Sequence, residues 1–209
     1  VGKALQDLSI INGSLEVTNM AGGGGGKAFA EVVNKRGSDD SLIVAASAAT
    51  ATRLAQGAYP GNSMDQVKWV GTIGADYGVI AVAGDSDVVT LGELLENLKT
   101  KPKKWVVGGG SAVGGWDHLK VLMAAKEYGI SNVRKIKYVS FDGGGDAVTQ
   151  LLAGNVQIFT GDVSEIKGFV DAGDIKIIAV LSPDRLPGDF SKFYTAKEQG
   201  VNVVGANWR

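Results

Sequence analysis

The chain has 209 residues, 44% of them hydrophobic and 21% charged, enough for one large domain or two small ones with real cores. A net charge of −1 excludes the broad basic field that nucleic acid or an anionic membrane surface would call for. The absence of cysteine excludes a disulfide framework and thiolate chemistry, and no apolar run approaches the ~20 residues needed to span a bilayer.

The first residues, VGKALQDLSIING, carry no leader pattern and open directly as a helix. Ala4, Leu5, Leu8 and Ile11 share one face, and Gly13 is the stop. An α/β domain more often begins with a strand, so the reading expects sequence in front of this helix. Leu15–Asn19 reads as a short strand, 21–26 as a glycine loop and Lys27–Lys35 as a helix. Ser41–Ala46 reads as a buried strand, followed by a helix from about Ala48 to Gln56 and a turn at YPGNS. Val67–Ile73 and Tyr77–Ala83 read as strands. Thr90 with Glu93 three residues on marks the capped start of a helix to Leu98.

Trp105–Val107 is the next predicted strand, then the loop GGGSAVGG (108–115) and a helix to about Tyr128. Ile136–Val139 is a strand before FDGGGD, where a helix runs to Leu152. Val156–Phe159, a helix from GDVSE to Val170, Ile175–Leu181, a short helix at Thr195–Gln199 and a last strand at Val201–Val204 complete the order. Strand, loop and helix in such alternation predict an α/β protein with largely parallel sheets. Ligands in such sheets sit at the carboxyl ends of strands beside helix N-termini, where backbone N–H groups suit an anion. Three glycine loops (21–26, 108–115 and 142–145) fall at such places, and Ala45–Thr50 is a fourth.

The familiar signatures fail in informative ways. AGGGGGKA (21–28) has alanine where a phosphate loop needs its first glycine and its final hydroxyl. VVGGGSAVGG follows a strand but offers no register of the dinucleotide fingerprint. His118 is the single histidine and lies inside a predicted helix, which makes a zinc site improbable and a packing role the simpler reading. Ser164–Lys167 matches S-x-x-K without its companion motifs. Asp142, Asp146 and Asp162 could serve as bases, but helix capping is the commoner use of aspartate at such positions. Trp69 and Trp105 read as core, Trp116 as core or cleft, and the tryptophans form no stacking platform for nucleic acid.

Longer stretches carry a resemblance. VKWVGTIGADYGVIAVAGDS, TLGELLENLK, VVGGGSAVGGWDHLK, YVSFDGGGDAVTQLLAGNVQIFTGDVSEI, IKIIAVLSPDRLPG and YTAKEQGVNVV follow one another in the order and spacing of a known family. Nearly the whole chain resembles the substrate-binding proteins of tripartite tricarboxylate transporters, also called Bug proteins. ADYGVIAV, FDGGGD, GDVSE and RLPG with TAKEQG look most like the branch assigned to citrate. The resemblance implies an α/β, type II periplasmic-binding-protein-like fold: two lobes around a ligand cleft, with the chain truncated at both ends. The family's opening strand and glycine-rich loop, and its segment beyond the position of Arg209, have no counterpart in this sequence. A proline usual near Ala21 is also missing.

By that likeness residues 1–81 form an incomplete lobe one, 82–203 form lobe two, and 204–209 begin the return crossover, with 79–82 as the first crossover. The implied function is periplasmic capture of a tricarboxylate such as citrate for the membrane subunits of a tripartite transporter by a monomer, with no cofactor, no metal, no nucleic acid, no membrane insertion and no catalysis. Ser47 and Thr50 would offer hydroxyls from lobe one. Ser111, Ala112, Val113 and Gly114 would offer backbone N–H groups and the Ser111 hydroxyl, and Asp142, Gly143 and Gly144 a second set. Asp162 would accept a hydrogen bond from a ligand hydroxyl such as that of citrate, and Tyr77 would donate its phenol or pack at the hinge. The alternatives are a dicarboxylate, amino acid or aromatic acid as ligand, an α/β enzyme using Asp142 or Asp162, or the sensing domain of a regulator.

Overall fold

The computed structural model describes residues 2–11 and 13–209. Its centre is β1 (Ala75–Ala83), in which Gly78 to Val82 are all buried. Continuous burial means both faces are covered, and the alternating side chains divide between two cores. Ile80 and Val82 point into one, with α4 (Leu91–Thr100) and α5 (Trp116–Glu127). Val79 and Ala81 point into the other, with α6 (Gly144–Leu152) and α7 (Val163–Asp171). Helices on both faces of one sheet give three layers.

The sheet runs β3-β2-β4-β1-β5, with β2 at Val107–Gly109, β3 at Tyr138–Ser140, β4 at Ile158–Asp162 and β5 at Ile175–Val180. β2, β3 and β4 are parallel, so their carboxyl ends share one edge. β1 is antiparallel to both β4 and β5, so the sheet is mixed where the sequence suggested a largely parallel one. β6 (Ala206–Trp208) pairs antiparallel with Ala75–Tyr77, one residue ahead of the part of β1 that enters the sheet. Residues 79–82, expected as the first crossover, sit deep between β4 and β5. The α/β layering is that of the type II periplasmic-binding-protein-like fold the resemblance implies.

Residues 2–74 contain three short helices: α1 (Gly2–Asp7), α2 (Gly26–Lys35) and α3 (Ala48–Ala55). The strands expected at Leu15–Asn19, Ser41–Ala46 and Val67–Ile73 are absent; these segments run without regular structure. Most of their β-branched residues lie in solvent, Val70 at 90% and Ile43 at 81% exposure, while Val67 is half-buried against Phe29, Leu54 and Tyr59. Trp69, expected in the core, is exposed as well and donates its indole N–H to the Met64 carbonyl. A strand needs a neighbour for its N–H and C=O groups, and among the described residues only Ile73 and Gly74 find one, at Arg209. Elsewhere the differences are small. Val201 and Val203 are buried as an alternating strand would be, yet form no ladder, and Thr195–Gln199 is a turn.

Candidate functional site

The shared edge of β2, β3 and β4 gathers the glycine loops. β2 ends at Gly109 and the chain passes directly over the start of α6: a Cβ on Gly110 would stand 2.6 Å from the Gly143 carbonyl carbon and the Gly144 nitrogen. Only glycine at 110 allows that approach. Loop 111–115 and loop 142–144 are thus neighbours, as the sequence reading required. Among the described residues, the N–H groups of Ser111, Ala112 and Val113, and those of Asp142, Gly143 and Gly144, have no acceptor. Gly143 is extended (φ 172°) and a Cβ there would meet nothing within 4 Å, so its side-chain space is open.

Loop 111–115 is held on several sides. Tyr138 on β3 donates its phenol to the Ser111 carbonyl at 2.8 Å, and Ser111 Oγ accepts from the Asp117 N–H at 2.9 Å. Burial raises the Tyr138 phenol well above its usual value, so it stays a donor. The Gly114 N–H, expected to face a ligand, is instead donated to His118 Nδ1 at 3.0 Å. From α3, Arg53 Nη1 reaches the Val113 carbonyl (3.3 Å) and Gln56 Nε2 the Gly114 carbonyl (3.1 Å). A Cβ on Gly24 would touch Ala112, so the 22–25 turn also closes on this loop.

Ser47 begins α3 in extended geometry, and its hydroxyl makes no cap bond to the helix. Thr50 lies one turn in, on the same helix as Arg53 and Gln56, so both expected hydroxyls share the element that contacts loop 111–115. Tyr77 sits opposite Ala206 in the β1–β6 ladder, half-buried against the second core.

Beneath the loops lies a buried ionic cluster that the sequence reading missed. Lys120 on α5 is fully buried; its ammonium donates to Asp162 Oδ1 (2.6 Å) and the Gly161 carbonyl (2.7 Å) and pairs with Asp117 Oδ1 (2.9 Å). Its three protons have three acceptors, the arrangement a buried ammonium requires. Burial pushes the Lys120 ammonium down, but Asp117 and Asp162 outweigh it and hold it above its ordinary value. A Cβ on Gly78 would stand 2.4 Å from Lys120 Cδ and one on Gly205 3.3 Å from Lys120 Cγ, so the stem packs against β1 and against the residue that leads into β6. The signal was present in the sequence. Asp117, Lys120, Val121, Ala124 and Ala125 form the buried stripe of α5 at helical spacing, and two charged residues on such a stripe must be paired inside.

Asp162 is 2% exposed, and both of its oxygens are engaged: Oδ1 by Lys120, Oδ2 by Asn207 Nδ2 (2.8 Å) and Arg209 Nη2 (2.9 Å). Burial would raise this carboxyl; Lys120 and the hydrogen bonds from Asn207, Lys120 and Arg209 hold it below the usual range. In this conformation it ties β4 to β6. Glu165, which accepts the Asp162 N–H at 2.9 Å, packs against Gly144 and Gly161, and burial raises its carboxyl. Ser164 and Lys167 serve separate partners, Asp76 for the first and Asp171 with Asp189 for the second, so the S-x-x-K match brings no nucleophile to a base. Among the described residues no cluster suits a metal ion.

The family profile of the tripartite tricarboxylate transporter family receptor matches residues 9–209. The chain belongs to that family. Solved structures share the receptor's fold at low identity. MatC from Rhodopseudomonas palustris with bound malate is 18% identical, covers 99% of this chain and 68% of its own, and superposes with a TM-score of 0.83. A TctC solute binding protein from Polaromonas without ligand is 24% identical over 100% of this chain and 69% of its own, with a TM-score of 0.68. The periplasmic binding protein BugD is 22% identical over 92% of this chain and 62% of its own, with a TM-score of 0.73. The receptor chain therefore spans roughly two thirds of the length of these proteins. No match is found among curated proteins. Among the described residues no helix of the receptor is long and apolar enough to cross a membrane.

Proposed function

We propose that this receptor captures a small polycarboxylate in the periplasm and presents it, as a closed monomer, to the membrane subunits of a tripartite transporter. The observation that carries the reading is the meeting of two sets of unpartnered N–H groups, at 111–113 and 142–144, where three parallel strands end. Anions are held well by such groups because backbone donors need no counter-charge and suffer little desolvation cost. The Lys120 cation is fully engaged by aspartates, so the ligand's charge rests on backbone dipoles, with the Ser47, Thr50 and Ser111 hydroxyls and the Arg53 guanidinium beside them.

A tricarboxylate such as citrate is the first ligand of choice, since two separate N–H clusters and a lobe-one helix can each take one carboxylate. A dicarboxylate is the second reading, supported by the malate bound to the structurally similar MatC. In either case binding draws α3 toward loop 111–115, because the ligand favours closure only by contacting both lobes. No bond of the ligand is made or broken. Asp162 and Tyr77 act in this reading where β1 meets β6, Asp162 by fixing β6 through Asn207 and Arg209.

The test is calorimetric titration with citrate and malate, wild type against Gly143→Val. A Cβ on Gly143 would meet nothing within 4 Å and the backbone there is allowed, so the fold should persist while affinity falls about ten-fold or more. Unchanged affinity in that variant removes loop 142–144 from the site. Binding of malate but not citrate would select the dicarboxylate reading.

A further inference from the structure

We propose that His118 is a positioning residue for ligand capture: its neutral imidazole fixes the Val113–Gly114 peptide that lobe one grips, and protonation of that ring releases it. The inference rests on the proposed carboxylate site and names a residue that controls it. One peptide plane carries the argument. Its N–H is donated to His118 Nδ1 at 3.0 Å, and its carbonyl accepts from Arg53 Nη1 at 3.3 Å. The next carbonyl, that of Gly114, accepts from Gln56 at 3.1 Å. Lobe two therefore holds the donor end of this peptide while lobe one holds its acceptor end.

Gly114 lies at φ +78°, the left-handed region, so the loop reverses here and the direction of the peptide sets where the Ser111, Ala112 and Val113 N–H groups point. The imidazole is itself fixed. It stacks on the Tyr138 ring at 4.4 Å and 22°, and Tyr138 in turn holds the Ser111 carbonyl. Loop 111–114 is pinned at both ends by this stacked pair.

The hydrogen bond demands one protonation state. An Nδ1 that accepts from an N–H must be bare, with the ring proton on Nε2; an imidazolium would turn a second donor toward the Gly114 N–H. The surroundings favour the neutral ring. Burial lowers the His118 basicity, and its place in the first turn of α5 sets it beside the positive end of the helix dipole. Stacked on it from β3 is the neutral phenol of Tyr138, and from α3 the Arg53 guanidinium sits on the carbonyl of the same peptide. On its own helix Asp117 and Lys120 are turned to each other and to Asp162, leaving neither free to pair with an imidazolium.

The consequence is a receptor that loses ligand as pH falls through the His118 titration, which lies below the ordinary histidine value of about 6.5. Acid would add positive charge beside an anion site, and simple attraction would predict tighter binding. The loop geometry predicts the opposite sign.

The experiment uses the full chain. His118 is the only histidine, so one imidazole signal reports its titration without assignment. In ligand-free protein the Gly114 amide resonance should shift with the same midpoint; a Gly114 amide that ignores the titration overturns the proposal. Calorimetry with malate and citrate at pH 8 and at a pH below the midpoint read from the imidazole signal then compares wild type, His118→Asn and His118→Phe. Asparagine can keep an acceptor near the Nδ1 position without titrating, and phenylalanine keeps the stack but no acceptor. His118→Phe should weaken binding about ten-fold at pH 8, the scale of one lost hydrogen bond. His118→Asn should bind within a few-fold of wild type at pH 8 and lose less affinity on acidification. The ligand's own protonation is common to all three and cancels. Equal pH profiles for wild type and His118→Asn, or tighter wild-type binding in acid, overturn the proposal. A Gly114 amide that follows His118 while neither acid binds at pH 8 sinks the carboxylate reading and leaves the loop anchor standing.

Discussion

Residues 75–209 and residues 2–74 were built from similar local signals and came out differently. Val79–Val82 and Ile43–Val44 are both β-branched, apolar runs. The first lies between β4 and β5 with helices on both faces and is fully buried; the second is exposed and pairs with nothing described. Beyond the sheet, the small cluster of Phe29, Leu54 and Tyr59 is the core that residues 2–74 own. An apolar run becomes a strand only where another strand takes its hydrogen bonds and helices cover its faces. β propensity describes fit to such a surface and does not create one.

The comparison can be broken first at Lys120. Lys120→Met leaves Asp117 without its cation and Asp162 with only the half-exposed Arg209 guanidinium, and should lower stability by about 3–5 kcal/mol, or roughly 10 °C in a chain of this size. Scanning calorimetry decides it, and a loss under about 1 kcal/mol would mean the cluster is not a keystone of the sheet. Next come paired truncations. Ile80→Ala in β1 should cost about 2–5 kcal/mol, whereas Ile43→Ala should stay within about 0.5 kcal/mol. Urea titration of both variants measures the contrast, and equal losses would show that residues 41–46 are packed in solution.

Hydrogen exchange sharpens the same contrast without mutation. Amides at 79–82 should open only with global unfolding, while those at 41–46 and 67–72 should exchange at nearly the free-peptide rate. The smallest effect is that of pH on Asp162. Its carboxyl is held below the unfolded-state value of about 3.9, so its contribution is full above that pH and fades as pH falls through the folded-state value. Stability measured from pH 6 to pH 2.5 should therefore fall more steeply in wild type than in Asp162→Asn. Parallel slopes would mean that Lys120, Asn207 and Arg209 do not favour the ionised form.

Much of this was legible in the residues. The glycine loops 108–115 and 142–145 were read as strand-end turns, and they meet as such because a parallel ladder aligns the ends of β2 and β3. The helix read from about Ala48 does begin there, with Ser47 as its N-cap. The use of each polar group was not legible. Gly114 looked like a ligand donor until His118, four residues on, was seen to take its N–H. Asp162 looked like a free acceptor until Lys120, Asn207 and Arg209 arrived from three distant elements. Local sequence shows that a donor or acceptor exists; its partner is set by what packs against it.

The α/β alternation, most helix starts and the glycine-rich edge could be read from the residues, because each rests on periodicity or backbone freedom within a few positions; the family rested on resemblance over long stretches. Tertiary structure alone decided which apolar runs became strands, that β1 runs antiparallel to both of its sheet neighbours, and that one buried lysine packs against β1 and the residue that leads into β6. Those outcomes depend on which surfaces and charges meet across the chain, because a charge taken out of water is costly to bury unless a partner replaces the solvent.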